Sequence, residues 1–395
     1  MNINSGYILI IVIFTNLYVC FGGYALLRSL ISGIANKKYY YNALKIYFFL
    51  FIQFAGFYFY LRYASGGLRS LFGLASSYWV LLLFVPFFLL ADILSFGSSV
   101  FCYARKALFP KSPAVSAGRI AIFKRWVRII SLVLAFAAIA LGSYSARYAK
   151  ITKYSVSVEK PMPGKGLRVA MFSDTHIGSM VGKKQMARLV EKVNSLEADL
   201  VFIVGDIVDR TLDVYKNENI NEELRMLKAP MGVYAVPGNH DYFARNIEEL
   251  KELLSGGNVK LLADETVLVD NAFYLVGRKD FSSGRWGDAL KPLNELTAEL
   301  DASLPLILLQ HQPLNLGETE KAGIDLQVSG HTHQGQIWPA RFFTKRIYEN
   351  DYGLLYKGKS AIVVTSGYGT WGPPLRIGTR AEIVCIDLVS SDNKK

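Results

Sequence analysis

The 395-residue chain is predicted to fold in two parts, a membrane region of about four helical spans and then an α/β domain of packed sheets flanked by helices. Three observations predict this. Charge is divided unevenly: the whole carries 44 Lys+Arg against 32 Asp+Glu, yet residues 1–150 hold 15 Lys/Arg and one acid, Asp92. The first part is therefore +14 and the remainder −2, whereas a soluble domain normally carries both signs on its surface. Long apolar stretches crowd the first part. After Lys150, short β-branched runs alternate with amphipathic segments instead. The positive excess lies among the apolar runs and not on the near-neutral remainder, so the overall +12 does not point to a nucleic-acid partner.

Four stretches, 7–27, 46–61, 71–94 and 127–144, approach the roughly 20 residues that cross a bilayer's hydrocarbon core. Tyr47, Phe48, Phe49, Tyr78 and Trp79 suit a lipid interface. No Lys or Arg precedes the first stretch, so it reads as a retained anchor and not a cleaved signal. Loop charge sets the orientation. Arg28, Lys37, Lys38 and Lys45 fill the first connection, and Arg105, Lys106, Lys111, Arg119, Lys124, Arg125 and Arg128 the third. The opposite side has Arg62, Arg69, Arg147, Lys150 and Lys153. The positive-inside rule places the richer connections in the cytoplasm, making this a multi-pass protein whose C-terminal domain lies on the non-cytoplasmic side.

The expected division is a transmembrane region at 1–149, a linker rich in Lys, Ser, Pro and Gly at 150–166, and the α/β domain at 167–395. Within that domain, 168–172, 200–204, 232–236, 305–310 and 326–329 read as strands, and 183–196 and 246–254 as helices. The runs 361–365 and 381–388 follow with little helix between them, which suggests sheets packed on each other. Of the cysteines, Cys20, Cys102 and Cys385, one lies in this part, so it has no disulfide framework or cysteine zinc site.

All five histidines lie in the domain, each just after a predicted strand, where α/β folds place their chemistry. Their segments are Ser173-Asp174-Thr175-His176, Gly238-Asn239-His240-Asp241, Gln310-His311-Gln312-Pro313 and Gly330-His331-Thr332-His333. Gly205-Asp206-Ile207-Val208-Asp209 accompanies them. Any one alone is most simply a turn or a hydrogen-bonded histidine. Together they supply imidazole and carboxylate without thiolate, a ligand set for manganese, iron or zinc in a hydrolytic site.

The order Asp-x-His, Gly-Asp-x-x-Asp, Gly-Asn-His-Asp, His, Gly-His-x-His resembles the calcineurin-like metallophosphoesterases over about residues 168–388. The resemblance implies a four-layer αββα sandwich holding two divalent metal ions. It implies Asp174, His176, Asp206 and His333 around one, and Asp206 as bridge with Asn239, His311 and His331 around the other. His240 would face the substrate as a catalytic group, with Asp241 holding its imidazole. Asp209 is expected to orient a ligand or its loop. Divalent ions about 4 Å apart need negative charge between them, which suits Asp206, and they lower the pKa of bound water towards about 7. That hydroxide then attacks phosphorus.

Ser329 to Ile337 and Thr365 to Arg376 resemble the membrane-associated branch of the family, which includes transmembrane proteins with a metallophosphoesterase domain and the chlamydial type of UDP-2,3-diacylglucosamine hydrolase. Gln334 stands where that branch has glycine, and Arg376 is the expected second phosphate contact. The implied protein is a membrane hydrolase of lipid metabolism acting on a phosphorylated, lipid-linked substrate. A nucleotide phosphodiesterase, a protein phosphatase and a non-catalytic membrane sensor are the alternatives. A UDP-lipid substrate requires a cytoplasmic site, against the charge-derived orientation.

Overall fold

The computed structural model describes residues 84–391 apart from 165 and 179. The chain divides into two compact units between Leu141 and Gly142. Helices α1 (Phe84–Leu108) and α2 (Ala117–Arg147) are the described elements that precede residue 150, and α2 continues into the second unit. At 31 residues, α2 extends about 46 Å, and among the described residues it is the one helix long and apolar enough to cross a membrane. It leaves Trp126, Ile130, Val133, Phe136 and Leu141 exposed. The span expected at 127–144 falls inside α2 and the end of the span at 71–94 inside α1. The spans at 7–27 and 46–61, and residues 71–83, lie outside the described residues.

The second unit contains β1 (Lys150–Val158), β2 (Leu167–Phe172), β3 (Leu200–Val204), β4 (Val233–Val236), β5 (Val259–Leu261), β6 (Glu265–Val269), β7 (Phe273–Gly277), β8 (Leu306–Leu309), β9 (Leu326–Ser329), β10 (Gly353–Lys357), β11 (Ser360–Val364) and β12 (Glu382–Ser390). Among the described residues they form two mixed six-stranded sheets, ordered β1-β12-β2-β3-β4-β5 and β10-β11-β9-β8-β7-β6.

Strand β3 shows why its sequence is apolar throughout. Leu200, Phe202 and Val204 face the other sheet, where Leu275, Ile307, Leu309, Val328 and Val363 complete the central core. Val201 and Ile203 face outward, under Met186, Leu189 and Val193 of α3 (Lys183–Asn194) and Leu250 and Leu254 of α4 (Ile247–Gly256). A strand buried on both faces cannot alternate. On the far side Val276, Leu306 and Leu308 of the second sheet pack against Leu293 and Ile324. The layers therefore run helix, sheet, sheet, helix.

The expected linker requires correction. Residues 150–158 are β1, which pairs parallel with β12 from Lys150 opposite Glu382 to Val158 opposite Ser390. Val156 and Val158 are buried in the central core, while Lys153, Ser155 and Ser157 occupy the wetter face of an edge strand. Polar residues on one face of an edge strand have the composition of a linker, which is why periodicity missed it.

The parallel strands β2, β3 and β4 end together, and the loops that leave them carry Asp174, Asp206 and Asn239. From the second sheet, β8 and β9 deliver His311 and then His331 and His333 to the same place.

Candidate metal centre

Backbone bonds between the loops set the geometry first. Asp174 N–H donates to Gly205 O at 3.0 Å, His176 N–H to Asp206 O at 3.0 Å, and Gly330 N–H to His311 O at 2.9 Å. The His311 Nδ1–H reaches across to Val204 O at 2.8 Å and ties the two sheets together. Asp174, His176, Asp206, His331 and His333 all have positive φ, between 47° and 69°. Asp and His enter that region more readily than most residues, but each such residue still costs about 1 kcal/mol or more. Strain gathers on the side chains that converge.

Among the described residues these side chains form two triads and a third group that overlaps both. Asp174, His176 and His333 make one triad, Asp206, His311 and His331 the other, and His176, Asp206 and His240 the overlapping group; in each the candidate donor atoms lie within 4.8 Å of one another. His333 Nε2 is 3.3 Å from Asp174 Oδ1 and 3.1 Å from His176 Nε2. Asp206 Oδ2 is 3.2 Å from His311 Nε2 and 3.9 Å from His176 Nε2, so this carboxylate stands between the triads. Its Oδ1 accepts from the His240 backbone N–H at 2.8 Å. Asn239 Oδ1 is buried and has no hydrogen-bond partner, and the buried His311 Nε2 faces only the Asp206 carboxylate. A buried polar atom without a partner is costly, and this amide oxygen among the converging carboxylates and imidazoles fits divalent cations as the missing partner.

The electrostatics divide the candidate ligands: burial lowers the His311 pKa, but Asp206 and Asp174 outweigh it and raise this imidazole well above its ordinary value, whereas the other shifts favour ligation. Burial opposes ionisation of Asp174, yet His333, His311 and His176 hold its carboxyl well below the usual range. Asp206 is likewise lowered, by His311 and His176 against burial. Burial pushes His176 down to about 3, and burial together with His311 pushes His331 down to about 4. Both are therefore neutral imidazoles at pH 7, the form that ligates a metal.

The role expected of Asp241 is corrected. Asp241 does not hold the His240 imidazole: its Oδ1 accepts from Val208 N–H at 2.9 Å and its Oδ2 from Gly238 N–H at 2.8 Å. It fixes the two loops that carry Asp206 and Asn239. Asp209 takes the role expected of Asp241, with its carbonyl 2.9 Å and its Oδ1 3.0 Å from His240 Nδ1, and its Oδ1 also lies 3.7 Å from Nδ1 of the candidate ligand His176. Burial lowers the His240 pKa, but Asp209 and Asp206 outweigh it and raise the imidazole above its ordinary value.

Arg376 is not an exposed phosphate contact. It is 1 % exposed, and its Nη2 donates to Gly369 O at 2.6 Å and Gly367 O at 3.0 Å, 3.3 Å from His333 Nδ1. The guanidinium braces the 367–369 loop behind a candidate ligand, and burial pushes its pKa down to about 10. Gln334 is buried too, with φ of 52° and its N–H bonded to the Thr332 hydroxyl at 3.1 Å. Sequence reasoning passed over Ser173, whose hydroxyl donates to Asp174 Oδ2. Its signal was adjacency to Asp174.

Residues 167–335 match the family described as calcineurin-like phosphoesterase. A metallophosphoesterase of Aquifex aeolicus, named as uncharacterized, is 30% identical over 271 residues, 65% of this chain and 100% of the relative. An uncharacterized metallophosphoesterase of Helicobacter pylori strain J99 is 34% identical over 227 residues, 57% of this chain and 60% of the relative. A Danio rerio protein named transmembrane protein with metallophosphoesterase domain is 34% identical over 260 residues, 62% of this chain and 58% of the relative. The chain thus spans about three fifths of the length of the latter two. It belongs to the calcineurin-like metallophosphoesterase family.

Proposed function

We propose that this metallophosphoesterase is a membrane-anchored hydrolase that cleaves a phosphoester or pyrophosphate bond of a lipid-linked substrate at a centre of two divalent cations. The observation that carries the reading is the pair of triads with the Asp206 carboxylate between them and the unpartnered Asn239 Oδ1 beside it. Asp174, His176, Asp206 and His333 would hold one cation, and Asp206, Asn239, His311 and His331 the other. When bound, the pair supplies Lewis acidity and a nucleophile of hydroxide strength near neutral pH. Asp174 and Asp206 bring two negative charges, fewer than the cations bring positive ones, so the loaded centre attracts phosphate. Manganese, iron and zinc all suit the donor set.

His240 is the chain's own proton carrier. Its imidazole, raised by Asp209, donates to a phosphoryl oxygen and hands a proton to the leaving group. Membrane anchoring is supported by α2 and by the Danio rerio relative's name. A multi-pass chain with its catalytic domain outside fits lipid phosphates of the outer leaflet, and UDP-2,3-diacylglucosamine-type hydrolysis fits the opposite orientation.

Metal content and turnover of two variants test this. Asp206→Ala should lose both metals by elemental analysis, and His240→Ala should keep both while kcat falls by about two orders of magnitude. An Asp206→Ala protein that still binds two metals would remove the bridge, and normal turnover in His240→Ala the proton carrier.

A further inference from the structure

Helix α5 (Arg341–Ile347) follows the loop that carries His331 and His333, and no residue in it is buried. Phe342, Phe343 and Ile347 are 62%, 65% and 66% exposed, and Trp338, just before the helix, is 62% exposed with its ring against Phe342. Water disfavours such a face, and isolated domains seldom keep one uncovered. Residues 338–348 also contain Arg341, Lys345 and Arg346 and no acid. Aromatic and aliphatic side chains set among cations describe a helix that lies in the headgroup layer of an anionic bilayer.

The surroundings name the same partner. Trp338 N–H donates to Ile377 O at 2.8 Å, and the neighbouring Arg376 N–H donates to Gly142 O at 3.0 Å. Ala381 N–H donates to Ser145 O at 2.9 Å. Gly142 and Ser145 belong to the last turns of α2, so the aromatic segment is bonded through 376–381 to the end of the membrane-spanning candidate. Trp371, 51% exposed, joins the same surface through Gln336, whose amide nitrogen donates to Trp371 O at 2.9 Å. On its other side α5 adjoins the metal centre, with the His331 ring 5.9 Å from Tyr348.

We infer that α5, with Trp338 and Trp371, docks on the surface of an anionic phospholipid bilayer and sets the mouth of the metal centre at the headgroup layer. The inference deepens the membrane-phosphohydrolase reading and rests on it. A lipid phosphate then reaches the centre without leaving the membrane plane.

Tryptophan fluorescence of the full chain in vesicles tests it, with Trp338→Phe subtracted to isolate Trp338. In phosphatidylcholine vesicles containing phosphatidylglycerol, acyl-chain bromination should quench the Trp338 signal about twofold, as for a ring at the headgroup boundary. Aqueous iodide should leave it unchanged. Removing phosphatidylglycerol, or the triple change Arg341→Gln, Lys345→Gln and Arg346→Gln, should weaken the bromolipid effect. Quenching by iodide and not by bromolipid overturns the docking, and shielding from both assigns the face to protein. A bromolipid effect unchanged without phosphatidylglycerol overturns the anionic partner. Manganese-dependent hydrolysis of bis-p-nitrophenyl phosphate by the same vesicles separates the readings: turnover without lipid quenching sinks the docking alone, and quenching without turnover sinks the proposed activity.

Discussion

His240 is followed in the chain by one aspartate and faces another. Asp241 spends both carboxylate oxygens on backbone N–H groups, whereas Asp209, 31 residues away, contacts the imidazole. The two make different predictions. Asp209 raises the His240 pKa, so Asp209→Asn should lower it and move the alkaline limb of the pH–rate profile to lower pH, with kcat reduced about tenfold or more. Asp241→Asn should leave that limb in place and cost about 1–3 kcal/mol of stability, because an amide cannot accept from both buried donors. A profile moved by Asp241→Asn and unmoved by Asp209→Asn would return the imidazole to Asp241. The neighbour in sequence was the natural first choice. Sequence adjacency says little about side chains leaving a short helix on different sides.

Two elements decide whether the ligand loops keep their place. After β3 the chain turns at Gly205, with φ of 76°, and a Cβ there would stand 2.5 Å from the His311 ring. Gly205→Ala should therefore lower the unfolding temperature, at a cost of about 1–3 kcal/mol, and weaken metal binding. Isothermal calorimetry with manganese and a thermal melt check both. At the start of β12, buried Glu382 accepts from Thr152 Oγ1 at 2.5 Å, Tyr352 Oη at 2.7 Å, Thr365 Oγ1 at 2.9 Å and Ser366 N at 3.0 Å. Burial opposes its charge, but these donors hold its carboxyl below the ordinary range. A depressed carboxyl pKa stabilises the fold above the unfolded value of about 4.3, and that contribution is lost as pH falls through the folded value. Glu382→Gln should thus lower the urea midpoint at pH 7 by an amount equivalent to about 2 kcal/mol, and the gap to wild type should close below about pH 4. A gap independent of pH would mean that the charge contributes nothing.

For the whole molecule, the test is where the domain begins. The boundary at residue 167 read from composition omits β1, and a fragment starting there would expose the β12 edge and uncover Leu388 and Ile386 beside the missing Val156 and Val158. The fragment 167–395 should unfold at a lower temperature than 142–395 or aggregate on expression, as light scattering and a thermal melt would show. Equal unfolding temperatures would make β1 an ornament. The same cause explains which parts of the fold were readable. Strands buried on both faces, such as β3, announce themselves as apolar runs, whereas an edge strand whose outer face is wet does not.

By itself the sequence determined the α/β alternation, the apolar stretch at 127–144 and the histidine and aspartate loops, because each is written in a short window of residues. The grouping of the ligands followed only from the family resemblance, and the tertiary structure supplies its physical basis, with His176 and His333 brought together from 157 residues apart. Tertiary structure alone assigned Asp209 to His240, turned Arg376 inward behind His333 and drew the expected linker into a sheet. Those outcomes depend on distances between segments remote in the chain, and on which face of an element packing consumes, neither of which a local pattern records.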